Sequence, residues 1–248
     1  MKRPLQGPEV LVLTWGLDPA RLPSLPPGLA PETWPVDGRA QALASLVLAR
    51  RGDLCPRVEP AGLPAFRQAD LRLYTRGPGQ QPPSVVVLAV WVPVRIGWAV
   101  RWVGRLPATS GRLRLPPAGG DPTVEFRWRV DTRAGSCAVL TRFGAAAAAP
   151  GAAVVERLAA GLRERRLAYL RRGADWTRCG LACESGPAVP VSATVEDGSL
   201  LARVLPVLGE AGATALLGAF VLHRRSFSPV RRPTLPERPF PRGAVVHG

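Results

Sequence analysis

Apolar and polar positions alternate most sharply at TVEFRWRV. Val124, Phe126, Trp128 and Val130 fall on one side, Glu125, Arg127 and Arg129 on the other, the two-residue period of a half-buried strand. DLRLYTR repeats the pattern, with Leu71 and Leu73 set against Asp70, Arg72 and Tyr74. Further strands are predicted over 10–15 (VLVLTW), 42–50 (ALASLVLAR), 137–143, 191–196 and 219–227. The run SVVVLAVWVPV, 84–94, is apolar throughout and stops at Arg95. It falls well short of the roughly 20 residues a spanning helix needs, and reads as a buried strand. PPAGGDP, 116–122, lies between two predicted strands and has the composition of a hairpin loop.

A helical period appears once at length, over 154–172. Val155, Leu158, Leu162 and Tyr169 share one face, Arg157, Glu164 and Arg171 lie elsewhere, and Gly173 supplies a stop. A shorter helix is predicted over 200–210, weakened by Pro206, and a helical turn closed by prolines within 18–29. Many strands, one dominant helix and irregular spacing argue against repeated βαβ units. They predict a mainly β (α+β) chain, an antiparallel or mixed barrel.

Composition adds bounds. A chain of 248 residues that is 46% hydrophobic and 21% charged can bury a sizeable core. Residues 1–233 read as a single β-barrel domain, and 234–248 as a tail rich in Pro and Arg, extended or disordered. The formal charge is +15, and Lys2 is the sole lysine, every other basic residue being Arg. Such a charge favours anionic partners. GC-rich codon usage gives the same excess of Arg over Lys without any functional cause, and the even spread of arginines along the chain favours that explanation. Polar residues follow Lys2 and Arg3 where a signal peptide needs an apolar run, so a cytoplasmic protein is expected, with no membrane contact. Four cysteines are too few for a disulfide scaffold.

The order of the pieces says more than any one of them. LDPARLPSLPPGLAPETWPVDGRA (17–40), then GLPAFRQADLRLYTR, the apolar strand, GRLPATSGRLRL and ERLAAGLRERRLAYLRRG together resemble the YqjF-like family of uncharacterised bacterial proteins (domain of unknown function 2071), a distant relative of acetoacetate decarboxylase. The resemblance spans about residues 8–233. It implies an acetoacetate-decarboxylase-like β-barrel, or cone, around a small-molecule cavity, with one long packed helix and short ones. In the decarboxylase, a lysine whose pKa is lowered by a neighbouring lysine forms a Schiff base with the substrate ketone. The resemblance sets those lysines at Ala108 and Thr109, after Pro107, and an acidic pocket residue at Gln68. Arginine does not replace the amine, because its guanidinium stays protonated. No lysine-dependent decarboxylase activity is therefore expected, and no catalytic residue is assigned.

The same resemblance makes DLRLYTR and WVGRLPATSG walls of a common cavity. Asp70, Arg72 and Tyr74 are then the candidate ligand-binding residues, with Arg105 beside the missing lysines and Trp98 as apolar wall; the bland alternative is a structural Asp70–Arg72 bridge. Cys179 and Cys183 fall short of a zinc ligand set, with His223 and His247 the sole histidines, and no metal or cofactor is expected. Ser226 near His223 lacks a nucleophile elbow. Two readings remain: a protein binding a small anionic or carbonyl-bearing molecule, and a basic nucleic-acid-binding protein. In FRWRV the arginines and aromatics take opposite faces, which does not build a stacking platform for bases. At most weak, nonspecific nucleic-acid binding is expected, and a homo-oligomer is compatible with the composition.

Overall fold

A computed structural model of the chain describes residues 10–36, 38–50, 66–79, 82–102, 107–116, 125–142, 152–165, 167–172, 175–180, 188–210 and 215–222. Its first strands are β1 (Val10–Leu17), β2 (Ala30–Pro31), β3 (Thr33–Val36), β4 (Arg39–Ala49), β5 (Gln68–Arg76), β6 (Ser84–Pro93) and β7 (Ala108–Arg114). There follow β8 (Phe126–Thr132), β9 (Gly135–Arg142), β10 (Leu167–Arg172), β11 (Asp175–Gly180), β12 (Ala188–Pro190), β13 (Ser192–Asp197) and β14 (Ala215–Leu222). Helices are α1 (Val94–Trp102), α2 (Ala152–Glu164) and α3 (Ser199–Val204).

The strands hydrogen-bond in the order β14–β1–β4–β5–β6–β7–β8–β9–β13. The stretch 188–197 touches both ends of that path: β12 pairs with β14, and β13, one residue later, pairs with β9. Between them Val191 N donates to Ala219 O at 3.0 Å. The sheet thereby curls into a barrel. Pairing is antiparallel except where β6 meets β7 and β10.

Two apolar clusters lie on opposite sides of this wall. Inside are Leu11, Leu13, Leu46, Leu71, Trp91, Phe126, Trp128 and Val139, joined by Leu200, Leu201 and Leu205 around α3. Outside, Val12, Val47, Val85, Val87, Val90 and Phe220, with Ala168 and Leu170 of β10 on the same face, are packed against Val155, Leu158 and Ala159 of α2. This explains the unbroken apolar run of β6, a strand buried on both faces. A bulge between Leu71 and Arg72 in the β5–β6 register keeps Val87 and Val90 on the outer side. On β8, by contrast, Arg127 and Arg129 meet solvent while Phe126, Trp128 and Val130 face the interior.

The long helix is shorter than its period predicts. α2 ends at Glu164, and 167–172 forms β10, which pairs with Ser84–Val87 of β6 and with β11. β7 covers the same edge of β6 for Val90–Pro93 only, so without β10 the backbone groups of its first half would be buried and unpaired. That penalty overrides the helix propensity of LAYLRR. Tyr169 accordingly leaves the face of Val155 and Leu158 and joins the interior cluster. Pro206 breaks the shorter helix as expected: α3 stops at Val204, and a 3-10 turn takes Pro206–Gly209. The hairpin loop beyond Pro116, Cys55, Cys183, residues 223–227 and the tail 234–248 lie outside the described residues. Among those described, no helix is long and apolar enough to cross a membrane.

Candidate ligand site

β5 is a central strand flanked by β4 and β6, so its backbone is fully used by the sheet and its side chains alternate cleanly. Ala69, Leu71 and Leu73 go to the interior. Gln68, Asp70, Arg72 and Tyr74 go to the other side, in register with Val47, Val87 and Val90 of the outer cluster. That face is the outer one. The polar row thus lies away from the barrel's apolar interior, beneath the elements packed outside the wall.

All four residues are at most 2% exposed. Arg72 grips Asp70 bidentately, Nε to Oδ2 and an Nη to Oδ1 at 3.1 Å. Gln68 Nε2 donates to the same Oδ1 at 2.9 Å. Burial of such a pair carries a heavy desolvation penalty, which the fork geometry and the extra donor offset. The bond to Asp70 fixes the Gln68 amide, because the flipped amide would set its oxygen against a carboxylate. Gln68 Oε1 is then left buried without a hydrogen-bond partner. Further along, Ser45 Oγ donates to Tyr74 OH at 2.8 Å and lies 2.7 Å from Thr14 Oγ1.

Across the sheet, Asp70 is opposite Val90, and Val90 is opposite Ala108. The three share one face, which sets the Cβ atoms of Asp70 and Ala108 about 10 Å apart, two strand spacings. Ala108 is buried, whereas Thr109 is exposed. Of the two positions that the resemblance assigns to lysines, Ala108 is the one on the face of Asp70.

The remaining expected site residues separate from this row. Trp98 sits on α1 and is 62% exposed; α1 meets β7 through Gly97, where an added Cβ would come 2.1 Å from Ser110 Oγ, which turns Trp98 away from the wall. Arg105 lies outside the described residues, as do His223 and Ser226, while Cys179 is described for its backbone alone. Cys137 is buried in the interior, and burial, with the charge of Asp197, pushes its thiol up to about 12, so it is no nucleophile at neutral pH. Among the described residues, no cluster of His, Cys, Asp or Glu fits a metal ion.

Sequence reasoning missed Ser45 and Thr14. Each is a lone hydroxyl inside an otherwise apolar strand, and such a residue in a doubly buried strand needs a polar partner. That was the available signal.

No protein-family profile matches the chain, and no curated protein matches it. Solved structures do. Acetoacetate decarboxylase from Legionella pneumophila superposes with a TM-score of 0.54 at 12% identity, over 89% of this chain and 88% of that one. An acetoacetate decarboxylase-like enzyme from Sphingomonas wittichii RW1 gives 0.48 at 14% identity, over 88% and 90%. The first of these superpositions shows that the chain has the acetoacetate-decarboxylase-like fold. Identity this low shows the architecture alone.

Proposed function

We propose that this protein binds a small carboxylate, carrying a carbonyl or hydroxyl group, at the Gln68–Asp70–Arg72 row, without amine catalysis. It is a cytoplasmic member of the YqjF-like group on this reading. The carrying observation is the buried polar row of β5, which shares a face of the sheet with Ala108, the position that the resemblance assigns to a lysine. The Asp70–Arg72 pair holds the row rigid, and beside it the orphan Gln68 Oε1 asks for a donor from the ligand. A hydroxy acid supplies that donor, whereas a keto acid does not.

The test is calorimetric titration of the full chain with acetoacetate and with 3-hydroxybutyrate, followed by borohydride trapping. Saturable binding is expected for both, at least threefold tighter for the hydroxy acid and lost in Ala108→Leu. Trapping is expected to yield no adduct between residues 10 and 222. Absence of saturable binding, or an Ala108→Leu protein that binds like wild type, overturns the assignment. An adduct inside the barrel wall overturns the exclusion of amine chemistry.

A further inference from the structure

The outer end of β5 opens onto a cleft of about 430 Å³ that the row above does not line. One wall is a stripe of α2: Arg157, Ala160, Gly161, Glu164 and, just past the helix end, Arg165. Their spacing of three, four, seven and eight residues puts them on a single face, distinct from the core face of Val155, Leu158 and Ala159. The opposite wall is Glu32 and Trp34, with Arg76 and the turn after it closing the side.

Glu32 is already saturated. It accepts from Arg165, from Trp34 Nε1 at 3.2 Å and from Arg76 at 3.2 Å. Burial alone would raise its pKa, but Arg165 and these hydrogen bonds hold it below the ordinary value, so it stays a carboxylate with little left to give a ligand. Arg165 also donates to Gly161 O and stacks over the Tyr74 ring at 4.4 Å, yet its Nε–H is buried without an acceptor. Gly161 makes room for it, since a Cβ there would come 2.7 Å from Nη1. Arg157 lies over the Trp34 ring at 4.3 Å, and among the described residues no carboxylate pairs with it. The stack holds the guanidinium flat and leaves its donor edge open. Three guanidinium groups thus face two carboxylates, one of them fully engaged.

We infer that this cleft is a second ligand site, for the oxyanion group of a small organic anion, with Arg157 as the principal donor and Arg76 and the Arg165 Nε–H as supports. The volume suits a small molecule, and the planar fork suits a carboxylate or a phosphate ester. The short side chain of Ala160 leaves the floor low enough for the ligand's body.

Calorimetry of the full chain with succinate and with inorganic phosphate, at low and at physiological salt, tests this. Saturable binding of at least one probe is expected at both salts. Arg157→Gln should weaken it at least tenfold and Arg157→Lys at least threefold, since an ammonium offers no fork. Arg127→Gln, which removes the same charge from exposed β8, should leave it unchanged, and the same ranking of variants should hold in an Ala108→Leu background, where the other site no longer binds. Both Arg157 variants should melt within a few degrees of wild type, because the side chain is exposed. Absence of saturable binding, wild-type affinity in Arg157→Gln, or an equal loss in Arg127→Gln overturns the site.

Discussion

Arg72 and Asp70 are each 1% exposed as side chains, which makes their pairing a stability matter as well as a recognition one. Removing one partner strands a buried charge. Arg72→Ala is expected to lower unfolding free energy by about 3–5 kcal/mol, read from urea denaturation of the purified chain. The double replacement Asp70→Leu with Arg72→Met should cost less than Arg72→Ala alone, because no charge is then left unpaired. The side chains that make this row were legible in the alternation of DLRLYTR. Their direction was not: the period says that Asp70 and Arg72 share a face, and a doubly covered strand offers two buried faces to choose from. Ser45 and Thr14 were visible as hydroxyls in apolar company, but the pairing that joins them to Tyr74 is set by register across three strands, which no single segment carries.

At the level of elements, Glu32 ties the short strands β2 and β3 to α2 and to the outer end of β5. Its pKa lies below the ordinary 4.5 because Arg165 and two further donors outweigh burial. A lowered folded value means that the stabilisation is present above about pH 4.5 and is lost as pH falls through the folded value. Acid titration of stability should therefore steepen below pH 4.5 in wild type, and Glu32→Gln should flatten that limb while lowering stability at neutral pH. This knot depends on where α2 ends, which is also where the sequence misled. LAYLRR is a good helix and a fair strand by propensity, and the decision rests with the unfilled edge of β6, more than 75 residues upstream. Pro206, a covalent constraint, broke its helix as the local rule requires.

Over the whole molecule, the barrel was legible from strand number and motif order, while its closure was not. Closure depends on β12 and β13 changing partners across the single residue Val191, and three residues carry no periodic signal. The net charge of +15 is what remains after every acidic residue is counted, and it is spread along the chain, with some arginines held by acidic neighbours, as where Arg127 pairs with Glu196 and Arg129 with Asp131 on β8. Affinity for a DNA duplex should accordingly be weak, indifferent to sequence and steeply lost as salt rises from about 50 to 200 mM, as counterion release requires; fluorescence anisotropy with two unrelated duplexes reads this. The pairing of Val10 with Leu222 has a consequence for synthesis. β1 emerges from the ribosome before every other described strand, and its neighbour β14 after all of them. Until then one edge of an almost wholly apolar strand waits with its amides and carbonyls unmatched, an edge open to aggregation for as long as the strands between the two are being made.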